Sequence, residues 1–252
     1  MKVNIFQGHS PDLPHSTANI VIDVIRAFTV AHYAFERGAK EILLVGTTDE
    51  AFRLKRTNPD YLLAGEIGGL PIEGFDFDNS PKKMSEANVA GKTLVQKTTN
   101  GVRATLNALD AEAVFVTGYS NAKKTAQVVR ELCGPDSIVN IIASHPEGDD
   151  DLACAEYIKA ILLGDESARS EVVVERIKGC KQAEKFFEPA MREFDEEDIS
   201  FCVKELASDF VMYVDCTRGL PRIVRVNEHE LHRVGAAGSG NETEKQRVND
   251  FN

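Results

Sequence analysis

Short apolar runs alternate with amphipathic or charged segments along most of the chain, which is typical of strands followed by helices. The apolar, largely β-branched runs predict strands over residues 2–7, 19–25, 41–45, 61–66, 93–97, 113–117 and 137–143, with edge strands over 211–214 and 222–226. Helical spacing predicts helices over residues 27–36, 48–56, 104–109, 120–132, 152–163, 183–194 and 196–206. This order predicts an α/β fold of three layers, α/β/α, with a largely parallel or mixed central sheet.

Two segments interrupt the alternation. Residues 67–83 are rich in glycine, proline, aspartate and asparagine, and loops of this length in compact domains are usually functional or disordered. Residues 235–252 have the composition of a tail. The sequence therefore predicts a single domain over residues 1–234 and a mobile C-terminal tail over residues 235–252.

Composition narrows the class of protein. The 252-residue chain has a formal net charge of −11, which argues against general binding to nucleic acid or to anionic membranes. It has no apolar run long enough for a transmembrane helix, and its N-terminus is predicted to be a strand rather than a signal peptide. Five cysteines without a CxxC pair indicate reduced thiols. We expect a cytoplasmic protein and, because two-fold symmetry is the commonest, a homodimer.

The turn after the predicted strand 93–97 is a candidate anion site. The first N–H groups of a helix lack internal partners and, with the helix dipole, favour an anion. Short polar side chains, a glycine and an arginine can add donors or allow close approach. The candidate substrate-binding and catalytic residues of this turn are Lys97, Thr98, Thr99, Asn100, Gly101 and Arg103. The alternative is an ordinary helix cap with a surface arginine.

Carboxylates follow several predicted strands at the ends where functional residues of α/β sheets gather. Asp23 lies in an apolar run three residues before Arg26, Glu66 ends another strand, and Asp150 and Asp151 precede a predicted helix. A buried carboxylate is costly unless it is paired or bound to a metal, and Mg²⁺ prefers oxygen ligands. These four carboxylates are candidate Mg²⁺ ligands. The alternatives are an Asp23–Arg26 ion pair, capping carboxylates and charges that complement a helix dipole.

Other polar residues lie beside these strand ends. Asn79 and Ser80 in the 67–83 segment and Asn121 after the strand 113–117 are candidate substrate-binding residues, although turn or cap chemistry explains them more simply. His145, next to the acidic run, is the one histidine considered as a general acid.

The combination of a hard-cation site, two arginines and an anion-binding turn suits metal-assisted phosphoryl transfer to or from a small anionic substrate. The metal and the arginines neutralise charge on the transferred group, and a metal-bound water or a carboxylate attacks phosphorus. Asp23, Arg26 and Arg103 are accordingly the candidate catalytic residues.

Specific motifs also occur in a fixed order within residues 2–226. They are VIDVIRA at 21–27, AGE at 64–66, EGFDFDNSP at 73–81, TTNGVRA at 98–104, Asn121, Asp150-Asp151 and Cys154-Ala155. In these motifs the chain resembles the 2-phosphosulfolactate phosphatase family, the ComB-like proteins. The resemblance implies a magnesium-dependent phosphatase that releases 3-sulfolactate and phosphate from 2-phospho-3-sulfolactate, a step of coenzyme M synthesis.

Two alternatives to this function remain open. A haloacid-dehalogenase-type phosphatase would need Asp-x-Asp after its first strand, whereas Asp23 is followed by Val24 and Ile25. A non-catalytic binding protein for phosphorylated or sulfonated acids would use the same anion sites without turnover. The chain also departs from the family pattern at Asp78 and Val102, so a closely similar phosphorylated 2-hydroxy acid is an alternative substrate.

Overall fold

The computed structural model describes residues 1–227 and 230–231, in which ten strands form one mixed sheet with helices on both faces. The strands are β1 (Lys2–Gln7), β2 (Ser16–Ile22), β3 (Glu41–Leu44), β4 (Leu62–Ile67), β5 (Leu70–Pro71), β6 (Thr93–Lys97), β7 (Ala111–Thr117), β8 (Ile138–Ala143), β9 (Val211–Asp215) and β10 (Arg222–Val226). The predicted three-layer α/β/α architecture is confirmed. The predicted tail, residues 235–252, lies outside the described residues.

Helices and short 3₁₀ turns connect the strands. The helices are α1 (Ala27–Glu36), α2 (Thr48–Thr57), α3 (Pro81–Glu86), α4 (Gly101–Asn107), α5 (Ala122–Leu132), α6 (Asp149–Leu163), α7 (Ser170–Gly179), α8 (Lys181–Glu184) and α9 (Glu197–Cys202), and the 3₁₀ turns are Tyr119–Asn121 and Lys185–Phe187. No helix within residues 1–227 or at 230–231 is long and apolar enough to cross a membrane.

The two faces of the sheet are buried by different helices. In the central strand β2, Ile20 and Ile22 belong to the core cluster that includes residues of α5 and α6. Val21 between them belongs to the cluster on the other face, with Phe28 and Phe35 of α1. Burying a side chain of this size stabilises the fold by about 1.5–3 kcal/mol. The continuous apolar run of β2 therefore follows from burial on both faces.

The sheet consists of two groups of parallel strands that run in opposite directions. Its order is β1-β8-β2-β7-β9-β10-β3-β6-β4-β5, and the pairs β7–β9, β9–β10, β10–β3 and β4–β5 are antiparallel. Although β2 and β6 belong to different groups, the turns that follow them are in contact, since the N–H of Gly101 donates to Asp23 Oδ2 at 2.9 Å.

Several predicted boundaries are wrong for identifiable reasons. The strand predicted over 19–25 spans Ser16–Ile22, because the carboxylate of Asp23 accepts backbone donors where the strand ends. The helix predicted over 183–194 is replaced by α8 and a 3₁₀ turn, since Pro189 cannot continue a helix. The helix predicted over 196–206 is only α9. Helices α3 and α7 lie outside the helix ranges predicted from the sequence.

Candidate active site

Asp23 occupies the turn between β2 and α1. Its Oδ1 accepts a hydrogen bond from Ala27 N at 2.9 Å, and its Oδ2 accepts one from Gly101 N at 2.9 Å. The residue is only 6% exposed. One buried carboxylate thus binds the first turns of two helices, α1 and α4.

The approach of Asp23 to α4 requires a glycine at position 101. A Cβ built on Gly101 would lie 2.6 Å from Asp23 Oδ2, closer than Cβ atoms approach other atoms in proteins. The next amide, Val102 N, donates to Thr98 Oγ1 at 2.9 Å. The first amides of the predicted anion site are therefore used by groups of the protein itself.

Glu66 lies in β4 on the other side of the same turn. Its carboxylate accepts hydrogen bonds from the backbone N–H and the hydroxyl group of Thr99, the latter at 2.9 Å, and from Gly69 N. Lys97 Nζ donates to the backbone oxygen of Glu66 at 3.3 Å. The 97–103 turn is consequently fixed between two carboxylates, Asp23 and Glu66.

Asp150 and Asp151 begin α6 and bind the backbone that follows Asp23. Asp151 Oδ1 accepts from Val24 N at 2.7 Å, and Asp150 Oδ2 accepts from Ile25 N at 3.2 Å. The second oxygen of Asp151 accepts from Ser144 Oγ and from the backbone of the following residue. Asp150 Oδ1 is buried and has no donor among the described residues.

Burial and mutual repulsion make this carboxylate cluster electrostatically unfavourable when it is fully ionised. Burial, followed by the charges of Glu66 and Asp150, raises the pKa of Asp23 to about 7. Burial raises the pKa of Asp150 to about 6, and burial and the neighbouring carboxylates raise the pKa of Asp151 well above its usual range. A cation placed among these groups would relieve the repulsion.

Arg26 brings a buried positive charge to the same place. Its Nη1 donates to Asp198 Oδ2 at 2.8 Å, and its Nη2 donates to the carbonyl oxygen of Gly69 at 3.1 Å. The guanidinium carbon lies 4.9 Å from the ring centroid of Phe186. The Asp23–Arg26 ion pair considered as an alternative is therefore replaced by an Arg26–Asp198 pair.

A cavity of about 430 Å³ opens onto Asp23, Glu66 and Arg26, whereas the buried Asp150 and Asp151 are not part of its lining. Of the sequence-predicted residues, it is lined by Asp23, Arg26, Glu66, Asn79, Thr99, Asn100 and His145. Burial lowers the pKa of His145. Asn79 Oδ1 is buried and, like Asp150 Oδ1, has no donor among the described residues. The cavity therefore combines carboxylate, amide and guanidinium groups.

Other predicted site residues lie elsewhere. Lys97, Thr98 and Arg103 line a neighbouring cavity, which shares Thr99 with the first. Ser80 caps α3, and its hydroxyl donates to Asp198 Oδ1 at 2.6 Å. Asn121 is buried and accepts from the hydroxyl of Thr117 at 2.8 Å.

The family model described as 2-phosphosulpholactate phosphatase matches residues 5–216. The chain belongs to the 2-phosphosulfolactate phosphatase family. A probable 2-phosphosulfolactate phosphatase of Bacillus subtilis is 58% identical over 226 residues, which cover 90% of this chain and 99% of that protein. Proteins of the same name are 34% identical in Clostridium acetobutylicum, over 74% of this chain and 84% of that protein, and 36% identical in Caldicellulosiruptor saccharolyticus, over 65% and 71%.

Sequence reasoning missed two charged residues of this 2-phosphosulfolactate phosphatase family member. Asp198 is completely buried, yet it lies in an acidic run in which nothing in the sequence distinguishes it from Asp195 or Glu197. Lys185 lines the cavity from the 3₁₀ turn after α8, within a segment predicted to be an uninterrupted helix.

Proposed function

We propose that this chain hydrolyses 2-phospho-3-sulfolactate, or a closely similar phosphorylated 2-hydroxy acid, to the free hydroxy acid and phosphate. Membership of the family supports phosphatase activity on a phosphoric monoester. The observation that carries the proposal is the cavity in which the carboxylates of Asp23 and Glu66 lie with the guanidinium of Arg26. Carboxylates suit a divalent cation, and the guanidinium suits a phosphate or another acid group.

The residues of the cavity fit Mg²⁺ as the cofactor. Asp23 and Glu66 line the cavity, and the buried oxygen Asp150 Oδ1 lacks a donor among the described residues. No group of three or more histidine, cysteine, aspartate or glutamate side chains within residues 1–227 and 230–231 is arranged to share a metal ion. The two carboxylates of Asp23 and Glu66 still suit Mg²⁺, because Mg²⁺ usually binds one or two carboxylates and completes its coordination shell with water and substrate phosphate. When bound, Mg²⁺ would neutralise charge on the transferred phosphoryl group.

The other residues of the cavity bind and orient the substrate in this proposal. Asp198 accepts one hydrogen bond from Arg26 Nη1, and the carbonyl oxygen of Gly69 accepts one from Nη2. The other N–H groups of the guanidinium can therefore bind an oxyanion. Asn79 and Asn100 add amide groups to the lining. Asp151 has a positioning role, since both of its oxygens accept hydrogen bonds from the segments that follow β2 and β8. Arg103, in the neighbouring cavity, is assigned a secondary role in anion binding.

The cellular setting belongs to the same proposal. We propose a cytoplasmic homodimer that acts on a small anionic phosphorylated substrate and binds neither nucleic acid nor membrane. Its product, 3-sulfolactate, would place it in coenzyme M synthesis or a related use of sulfonated acids. The net charge of −11 supports the proposal that the protein does not bind nucleic acid.

Phosphate release from three substrates tests the proposed function. Racemic 2-phosphosulfolactate, phospholactate and p-nitrophenyl phosphate are compared at equal concentrations with Mg²⁺. We expect kcat/KM for 2-phosphosulfolactate to exceed that for the other two at least about tenfold, because one charged contact to the sulfonate contributes roughly 1.5–3 kcal/mol. No release from any substrate by the folded protein would instead favour the binding-protein alternative, and equal rates would show that the sulfonate is not recognised.

A further inference from the structure

The 3₁₀ turn Lys185–Phe187 forms one wall of the cavity that contains Asp23 and Glu66. It follows α8 directly, so that Gln182 of α8 and both Lys185 and Phe186 of the turn line the cavity. This wall comes from the helical segment between β8 and β9, and not from the strand ends that carry the carboxylates. A charged residue on it can therefore contact a ligand from a different direction.

The ammonium group of Lys185 is confined by two aromatic rings and by Gly69. Its Nζ lies 4.4 Å from the ring centroid of Phe194 and 5.7 Å from that of Phe186. A Cβ built on Gly69 would lie 2.8 Å from Nζ, so a side chain at position 69 would displace the ammonium group. Among residues 1–227 and 230–231, no hydrogen bond or ion pair engages Nζ. A half-buried ammonium group without an acceptor is costly unless a ligand provides one.

The other strong cation of this cavity already has protein partners. Arg26 donates to Asp198 and to the carbonyl oxygen of Gly69, and its guanidinium stacks on Phe186. Lys185 is therefore the cation lining the cavity, in the described part of the chain, whose donors are all available. Burial, followed by the charge of Arg26, lowers the pKa of Lys185, and an entering anion would counteract both effects.

We propose that Lys185 is a substrate-binding residue whose ammonium group binds an oxyanion of the substrate, either on the phosphoryl group or on the carboxylate or sulfonate. Together with Arg26 it offsets the negative charge of Asp23 and Glu66, which would otherwise repel an anionic substrate from the cavity. The proposal rests on the function proposed above, because it assigns a residue to the substrate of that reaction.

Calorimetric titration with two anions tests Lys185 without requiring turnover. Inorganic phosphate and racemic 3-sulfolactate are titrated, in buffer containing Mg²⁺, into the wild-type protein and into the variants Lys185→Gln and Lys185→Arg. Lys181→Gln is the matched control, since Lys181 is exposed on the same segment and does not line the cavity. Thermal melting of each variant confirms that the fold is retained.

We expect Lys185→Gln to weaken the binding of at least one anion by about 10- to 100-fold, the usual contribution of a charged hydrogen bond. Lys185→Arg, which keeps the charge in a larger side chain, should lose less affinity than Lys185→Gln, and Lys181→Gln should be unchanged. A loss confined to phosphate assigns Lys185 to the phosphoryl group. A loss confined to 3-sulfolactate assigns it to the carboxylate or sulfonate.

Equal affinities of the wild type and Lys185→Gln for both anions would overturn the proposal, as would the absence of measurable binding to the wild type. Failure of the proposed function is a separate result. It would appear as a lack of phosphate release by the wild-type protein, whereas the role of Lys185 is determined by the two affinities alone.

Discussion

Asp23→Asn is expected to lower kcat for phosphate release at least about 10³-fold while the protein stays folded. Asparagine has nearly the same shape as aspartate but removes the negative charge that faces the cavity. Its single carbonyl oxygen can accept from only one of the two amides, Ala27 N and Gly101 N, that Asp23 now binds. The lost hydrogen bond costs about 1 kcal/mol, partly offset because a buried charge is removed.

Steady-state kinetics with 2-phosphosulfolactate and thermal melting measure this effect. Asp136→Asn is the matched control, because Asp136 is exposed in the turn between α5 and β8 and should leave kcat unchanged. If Asp23→Asn kept kcat within about tenfold of the wild type, Asp23 would have a structural role only and the assigned site would be wrong.

Asp198→Ala is expected to reduce the free energy of unfolding by about 3–5 kcal/mol, because it leaves a buried guanidinium without its counter-charge. Arg26 is 4% exposed and pairs with Asp198 at 2.8 Å. The same substitution removes the acceptor of the hydroxyl of Ser80 and of the amide of Lys82. The effect is therefore larger than that of a surface ion pair.

Urea denaturation of single and double variants isolates this interaction. Asp195→Ala is the matched control, since Asp195 pairs with Lys82 at the surface and should lower the free energy of unfolding much less than Asp198→Ala does. Adding Arg26→Met to Asp198→Ala should recover part of the lost stability, because it removes the unpaired charge. A loss below about 1 kcal/mol for Asp198→Ala would show that water or another group compensates for Arg26.

The sequence predicts an element well where the residues of that element carry the signal themselves. The apolar runs of β2, β6 and β8 identify strands, because both faces of these strands are covered by helices. Asp23 and Glu66 are predictable at strand ends because a carboxylate next to an apolar run needs partners, and Ala27 N and Gly69 N in the segments that follow supply some of them.

Long-range contacts are what the sequence does not reveal. The opposite direction of the two parallel groups depends on where β9 and β10 insert, and no local pattern encodes that position. The helix-start donors of the 97–103 turn were predicted to bind an external anion, but Asp23 is brought to them from 78 residues away. Asp198 was missed for the same reason, since its partner Arg26 lies 172 residues away in sequence. Lys185 was missed because its segment was predicted as an uninterrupted helix.

Dependence of turnover on the divalent cation tests the central claim most directly. Phosphate release from 2-phosphosulfolactate by the wild-type protein is measured in excess EDTA and then during titration with Mg²⁺. The account predicts that EDTA lowers the rate to about 1% or less, and that Mg²⁺ restores it along a saturable curve. An unchanged rate in excess EDTA would contradict the assignment of Asp23 and Glu66 to a metal site.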